Sequence, residues 1–416
     1  MKTPGTLLVA VAAAAIVVSG CTGASPSPST AAQSSAPSSA ASAAAGLTVD
    51  SFDSSFSAMS QLTSVTSAGS GLVGVILPDT TTSARYTSYD LPYLTQAFTG
   101  AGYASTDFKI DNAAGTTTTE LAIAQADIQA GAKVLLVDPL DSTTGNQIQA
   151  AADAAGVTMV SYDRATFQGT STYYVSFDNV QVGKLIGQGF LDCVTAWGVT
   201  SPKVFTVDGG QDTDPNAIDF GKGYNSVVWG QEVAQVTAGA TNDKGMTLVG
   251  EALAPSWNND QGGTIFQQAF TAHPEINATI EANDGLAGAV ITKLQAAGVG
   301  AKKVPTVGQD ATLQGMEYVL QGFQCGSAYK PVYLEAQAAV ALVTYLRAGQ
   351  TPPSGLLNGT TTDPANASTS EPAVLLTPYW TDITNMESTV IKDKFVSATD
   401  LCAAVGADVC TAAGIK

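Results

Sequence analysis

The chain has 416 residues, with 17 Lys and Arg against 35 Asp and Glu and a formal net charge of -18. Hydrophobic residues make up 45% and charged ones only 12%, so the length admits two domains with full cores. An acidic chain with no basic run argues against nucleic acid and anionic lipid as partners.

Met1-Lys2 precedes an apolar run, Leu7 to Val18, that is too short to span a bilayer but has the length of a signal-peptide core. It ends in Val18-Ser19-Gly20-Cys21, which resembles a bacterial lipobox. A signal peptide is therefore expected over 1–20 and a lipid on Cys21, holding an exported protein at the cell membrane. Residues 21–68 are rich in Ser, Ala, Pro and Thr and are expected to form a flexible lipid-anchored linker, with weak helical spacing over Leu47 to Leu62. Cys193, Cys325, Cys402 and Cys410 remain, an even number in an exported chain, and suggest disulfides. Cys402 with Cys410 and Cys193 with Cys325 is one of three possible connectivities. No cysteine spacing resembles a zinc site, and no metal or cofactor is expected.

From Gly71 strands and helices alternate. Strands are predicted at 72–77, 133–137, 157–162 and 173–177, with helices at 91–101, 120–130 and 146–155 between them. The alternation restarts with a helix at 180–196 and strands at 203–207, 247–249, 278–280, 304–307 and 327–329. Helices are predicted around 217–235 and at 261–272, 285–297, 312–321 and 332–347. Such alternation means βαβ units, hence an α/β fold of two doubly wound parallel-sheet lobes.

Polar residues collect at the predicted strand ends, where open α/β sheets bind ligands. They are Arg85, Asp163-Arg164, Asp214 and Asn216, Asn283, Asp310 and Lys330, with Trp257 as the aromatic member. Carboxylates accept hydroxyl protons, while guanidinium, amide and ammonium groups donate them. A flat indole covers an apolar C–H face. The inventory suits a sugar. Asp163 alone would read as a helix cap and Arg164 alone as a surface charge; it is the joint placement that makes a site. Asp178-Asn179 reads as a helix cap and crossover, Asp214 as a support for Asn216, Tyr86 as pocket wall or core, and Gly209-Gly210 as a tight turn.

The motifs Ser-Tyr-Asp163-Arg164, Tyr-Val-Ser-Phe-Asp178-Asn179, Asp-Gly-Gly…Asp214-Pro-Asn216-Ala, Asn283-Asp284-Gly-Leu-Ala-Gly, Gly308-Gln309-Asp310-Ala and Tyr329-Lys330-Pro331 resemble those of type I periplasmic sugar-binding proteins of ABC importers. The xylose-binding and multiple-monosaccharide-binding branches are the most similar. The resemblance implies two lobes joined by three hinge segments, near 177–181, 323–327 and 372–376. It assigns residues 69–178 and 326–350 to the first lobe and 179–325 and 373–395 to the second. A loop is expected over 351–372 and a tail over 396–416 carrying Cys402 and Cys410. It also implies ligand contacts at Arg85, Asp163, Arg164, Asn216, Trp257, Asn283, Asp310 and Lys330.

The function so implied is capture of a monosaccharide, D-xylose or another aldose, by hinge closure. The ligand would then pass to an ABC permease in the membrane, the binding protein acting as a monomer and not as an enzyme. A sugar sensor of the same fold is the alternative. A glycoside hydrolase using Asp163 and Asp310 is a further one, disfavoured by the cations expected beside both carboxylates.

Overall fold

The computed structural model describes residues 46–416 apart from 82, 84, 168–171, 211, 212 and 365. The expected signal peptide, Cys21 and the linker as far as residue 45 lie outside the described residues. No helix among the described residues is long and apolar enough to cross a membrane.

In chain order the strands are β1 Leu72–Leu77, β2 Phe108–Asn112, β3 Ala132–Val137, β4 Thr158–Tyr162, β5 Thr172–Phe177, β6 Lys203–Gly210 and β7 Thr247–Pro255. They continue as β8 Ala278–Glu281, β9 Gly308–Gln309, β10 Gly326–Tyr329, β11 Gly359–Thr362, β12 Ser370–Leu376 and β13 Tyr379–Asp382. The first lobe holds one sheet in the order β11-β12-β5-β4-β3-β1-β2, parallel except for the β11–β12 pair. Its runs of Val, Ile and Leu are buried on both faces, as parallel strands require. Val73, Val75, Val134 and Leu136 pack with the helix Val332–Arg347. Ile76, Leu135 and Val137 pack with Ala124, Ile148 and Ala152 of the helices Thr117–Gln129 and Ser142–Ala155.

The second lobe has two three-stranded groups, β7-β6-β8 and β13-β10-β9. Residues 304–307, predicted as a strand, are not one, because Pro305 has no N–H to complete a ladder. The segment still bridges the groups: Thr279 N donates to Pro305 O at 2.8 Å and Cys325 N to Thr306 O at 2.9 Å.

Several expected boundaries are corrected. Residues 47–68 are not linker: Leu47, Phe52, Phe56, Met59, Leu62 and Val65 are buried in the first lobe's core. Their apolar side chains are outnumbered by Ser and Ala in any window average, yet they are spaced to cover one surface. Strand β10 was expected in the first lobe, but it pairs with β9 and β13 in the second. Only the following helix returns to the first sheet, so the chain crosses at Lys330-Pro331, downstream of the predicted 323–327. Proline ends the strand there and starts the helix. Residues 373–376 belong to β12, which runs parallel to β5 in the first sheet. The segment 351–372 is not all loop, since β11 forms an antiparallel edge hairpin with β12. The tail is folded: Leu401, Cys410 and Ile415 are buried, and Cys402 is bonded to Cys410. Cys193 is bonded to Cys325, tying the helix Asn179–Ala196 to the approach to β10.

Three passages therefore join the lobes, at Asp178, at Lys330-Pro331 and at Thr377-Pro378. Two of them are tied together by Asp178 N donating to Leu376 O at 3.0 Å.

One packing contact bears directly on the cleft. The helices Asn179–Ala196 and Pro215–Val228 cross so closely that a Cβ on Gly183 would lie 2.1 Å from Phe220 O, and one on Gly223 2.3 Å from Val180 O. This approach brings the two helix starts side by side, with Asn179 Nδ2 donating to Asn216 Oδ1 at 2.9 Å. Replacing Gly223 with Ala is expected to force the helices apart and cost about 1–3 kcal/mol. Urea unfolding measures this; an unchanged midpoint would contradict the close crossing.

Candidate functional site

The carboxyl ends of the strands of both lobes enclose a cavity of about 340 Å³. Arg85, Asp163, Arg164, Asn216, Trp257, Asn283, Asp310 and Lys330 all line it, together with Tyr86, Phe220 and Gln309. Of the residues proposed from the sequence, only Asp214 does not.

Arg85 is the hub. It sits where β1's following loop enters a wide helical turn, Tyr86–Asp90, with i+5 hydrogen bonding of the kind common at functional sites. Its Nε and one Nη2 hydrogen take both oxygens of Asp90 at 2.9 Å. Nη2 also donates to Glu335 Oε2 at 2.9 Å, and Nη1 to Asp163 Oδ1 at 2.8 Å. Burial opposes charge on this guanidinium. The carboxylates of Asp163, Asp90 and Glu335 outweigh it and hold the pKa well above its usual value. Asp90 has further support from Tyr162 OH, which donates to Oδ1 at 2.6 Å.

Asp163 stands at the tip of β4 with φ 58, in the left-handed region. Asp310, after β9, has φ 91, and Trp257 has φ 59. Non-glycine residues held there concentrate at binding sites. Lys330 Nζ lies 3.2 Å from Asp310 Oδ1 and 3.7 Å from Asp163 Oδ1, so one ammonium, on a passage between lobes, links a carboxylate of each. Burial would raise the pKa of Asp163, but Arg85, Lys330 and Arg164 bring it down to about 2. Arg164 donates to Tyr86 OH at 2.9 Å and to Pro139 O at 3.1 Å, and Asp138 lies 3.5 Å away. Tyr86 is thus wall, its ring between two guanidiniums at 5.6 and 5.9 Å.

The amides are set by helix starts. Asn283 caps the helix Asp284–Ala296, its Oδ1 accepting from Leu286 N at 2.8 Å, which leaves Nδ2 as the donor. Asn216 Nδ2 donates across the lobes to Asp163 O at 3.0 Å. Gln309 Oε1 is buried and accepts no hydrogen bond from the described residues.

Asp214, grouped with the strand-end polar set and read as a support for Asn216, does not line the cavity. Its carboxylate is fully engaged, with Oδ1 capping Asn216 N and Ala217 N at 2.9 and 3.2 Å and Oδ2 accepting from Trp257 Nε1 at 2.8 Å. Gly209 is more than a turn. A Cβ there would lie 1.9 Å from Trp257 Cε3, so the absent side chain lets the indole lie on the strand. Phe220 meets Trp257 edge-on at 6.2 Å and lies 5.9 Å from Lys330 Nζ.

Sequence reasoning missed Asp90, Glu335 and Phe220, and read Asn179 only as a cap. Glu335 carried a signal: a carboxylate within an apolar helix needs a buried partner. Phe220 carried none, because its neighbours lie far away in sequence; Asp90 lies five residues from Arg85, but the wide turn that joins the two has no sequence signature.

These features, two parallel-sheet lobes joined by three passages with polar strand ends meeting in one cavity, define a two-lobed ligand-binding protein. Residues 73–351 match the model of the periplasmic binding protein domain, and the chain belongs to that family. It is 29% identical over 293 residues to the D-xylose-binding periplasmic protein of Escherichia coli strain K12, covering 70% of this chain and 82% of that one. It is 27% identical over 338 residues to a multiple sugar-binding periplasmic receptor of Rhizobium radiobacter, covering 80% and 93%. In fold it is similar to a carbohydrate transporter solute-binding protein from Chloroflexus aurantiacus solved with D-glucose, with TM-score 0.66 and 24% identity over 80% of this chain and 98% of the other.

Two outcomes follow from the Arg85 hub. Arg85→Met leaves buried Asp90 and Glu335 without their ion-pair partner and Asp163 with Lys330 at 3.7 Å, and is expected to cost about 3–5 kcal/mol in urea unfolding; near-normal stability would contradict the hub. Burial, against Arg85 and with Asp163 and Asp90, lifts Glu335 from 4.5 to about 8. The folded state then binds this proton more tightly than the unfolded chain, so the Glu335 contribution to stability falls as pH rises from 4.5 to about 8. Glu335→Gln is expected to flatten stability across that window; an unaltered slope would contradict the assignment.

Proposed function

We propose that the protein is an exported lipoprotein, anchored through Cys21, that captures a monosaccharide and delivers it to an ABC importer. D-xylose is the first candidate and other aldoses follow. The observation that carries this reading is the convergence of carboxylates, cations, amides and an indole from both lobes on one cavity. Alternating donors and acceptors match a ring of hydroxyls, and Trp257 and Phe220 match its C–H face. The names of the relatives agree with a sugar, and their range, xylose and multiple sugars, leaves the aldose to be measured.

Capture proceeds by rotation of the lobes about the three passages. In this structure the lobes are tied by Asn216 Nδ2 to Asp163 O at 3.0 Å and by Ser142 Oγ to Thr213 O at 3.0 Å. Sugar bound between them adds contacts that exist only when closed, and closure is favoured by no more than that difference. Asp163, held at about 2, cannot serve as the proton donor of a glycosidase near neutrality.

Titration calorimetry with xylose, glucose, galactose, arabinose and ribose tests the reading. At least one is expected to bind, and binding by none would remove the monosaccharide assignment. Asp310→Asn is expected to weaken the bound aldose by about 10–100-fold, the worth of a charged hydrogen bond, with the fold retained by circular dichroism. A variant that binds normally would place the site elsewhere.

A further inference from the structure

The inner cavity is not closed on all sides. Past Asn283 and Asp310, which line both spaces, the cleft widens into a groove open to solvent. The first lobe contributes Ser88 and Tyr89 to it, and the second contributes Asn259, Gln314 and Glu317. Gln314 and Ser88 are exposed. The Tyr89 ring is fixed by stacking on Phe395 at 4.1 Å and 11°. On the opposite side, beyond Arg164 and Trp257, a space of about 350 Å³ is bridged by the Ser142–Thr213 hydrogen bond. Extension of a ligand is therefore open on the Asn283 side and obstructed on the other.

The chemistry of the groove narrows what fits. Hydroxyl, phenol and amide groups supply donors and acceptors. Its acidic lining residues are Glu317, Asp310, which pairs with Lys330, and Asp284, which burial lifts to about 7, with no Lys or Arg among the described lining residues. An anionic substituent would meet repulsion there, whereas a neutral hydroxylated one would not. We propose that the cleft accepts a neutral disaccharide, one sugar unit in the inner cavity and the second in the groove between Tyr89 and Gln314. This rests on the sugar reading of the inner cavity.

The test is calorimetry of the mature protein with xylobiose, cellobiose and maltose beside xylose and glucose, on the wild type and on Gln314→Trp and Ser88→Trp. Both substitutions fill the groove from exposed positions and touch none of the inner contacts. At least one disaccharide is expected to bind within about tenfold of its monosaccharide. The substitutions should weaken it about tenfold or more while leaving the monosaccharide within about twofold. A protein that binds a monosaccharide and no disaccharide overturns this proposal alone, the groove being then only the mouth of the cleft. Disaccharide binding unaffected by either tryptophan also overturns it. Binding of none of the five sugars overturns it together with the monosaccharide reading. Binding of a disaccharide without its monosaccharide supports the groove and corrects the size of the ligand.

Discussion

A single guanidinium, that of Arg85, orders this cleft. Three carboxyl groups reach it from different places: Asp90 from its own turn, Asp163 from the tip of β4, and Glu335, 250 residues away in sequence, from the helix Val332–Arg347. A buried cation of this kind is tolerable only with its partners in place, so the fold that assembles it is also the fold that aims Asp163 at the cavity. Three carboxylates around one guanidinium leave two negative charges in excess, of which Lys330 faces one at Asp163. Burial and the neighbouring Asp163 and Asp90 lift Glu335 to about 8, against the pull of Arg85.

The second lobe answers with weaker but equally constrained groups. Gly183 and Gly223 let two helices cross at backbone distance, and the crossing delivers Asn216 to the cleft with Asn179 bonded behind it. Gly209 lets Trp257 lie on β6, and Asp214 fixes the indole by its N–H. Lys330 joins the halves. It lies on the chain passage between the sheets and pairs with Asp310 on one side and Asp163 on the other. A ligand in this cavity would contact both lobes and the segment about which they turn.

Much of this was legible in the sequence because parallel sheets announce themselves. Short apolar runs alternating with helical spacing located most of the strands, and the rule that ligands bind at strand ends located the polar set. What escaped did so for physical reasons. Strands β11, β12 and β13 lie among Thr, Gly and Pro, and the half-exposed edge strand β2 alternates Phe108, Ile110 with polar residues, a weaker signal than a continuous run. The crossing at Lys330-Pro331 was misplaced because β10 and the next helix are contiguous in sequence yet belong to different lobes. Residues 47–68 looked like linker because buried Leu47, Met59 and Leu62 are diluted by small polar neighbours. Glu335 became a site residue only when stretches 250 residues apart met.

The central claim is geometric: one hydroxylated molecule held at once by Asp163 and Arg164 of the first lobe, Asn216, Asn283 and Asp310 of the second, and Lys330 between them. A crystal structure of the protein grown with an aldose that it binds tests this directly. The account predicts sugar hydroxyls within hydrogen-bond distance of these side chains and a C–H face against Trp257 or Phe220. A sugar bound outside this cavity, or within it but touching one lobe alone, would contradict it.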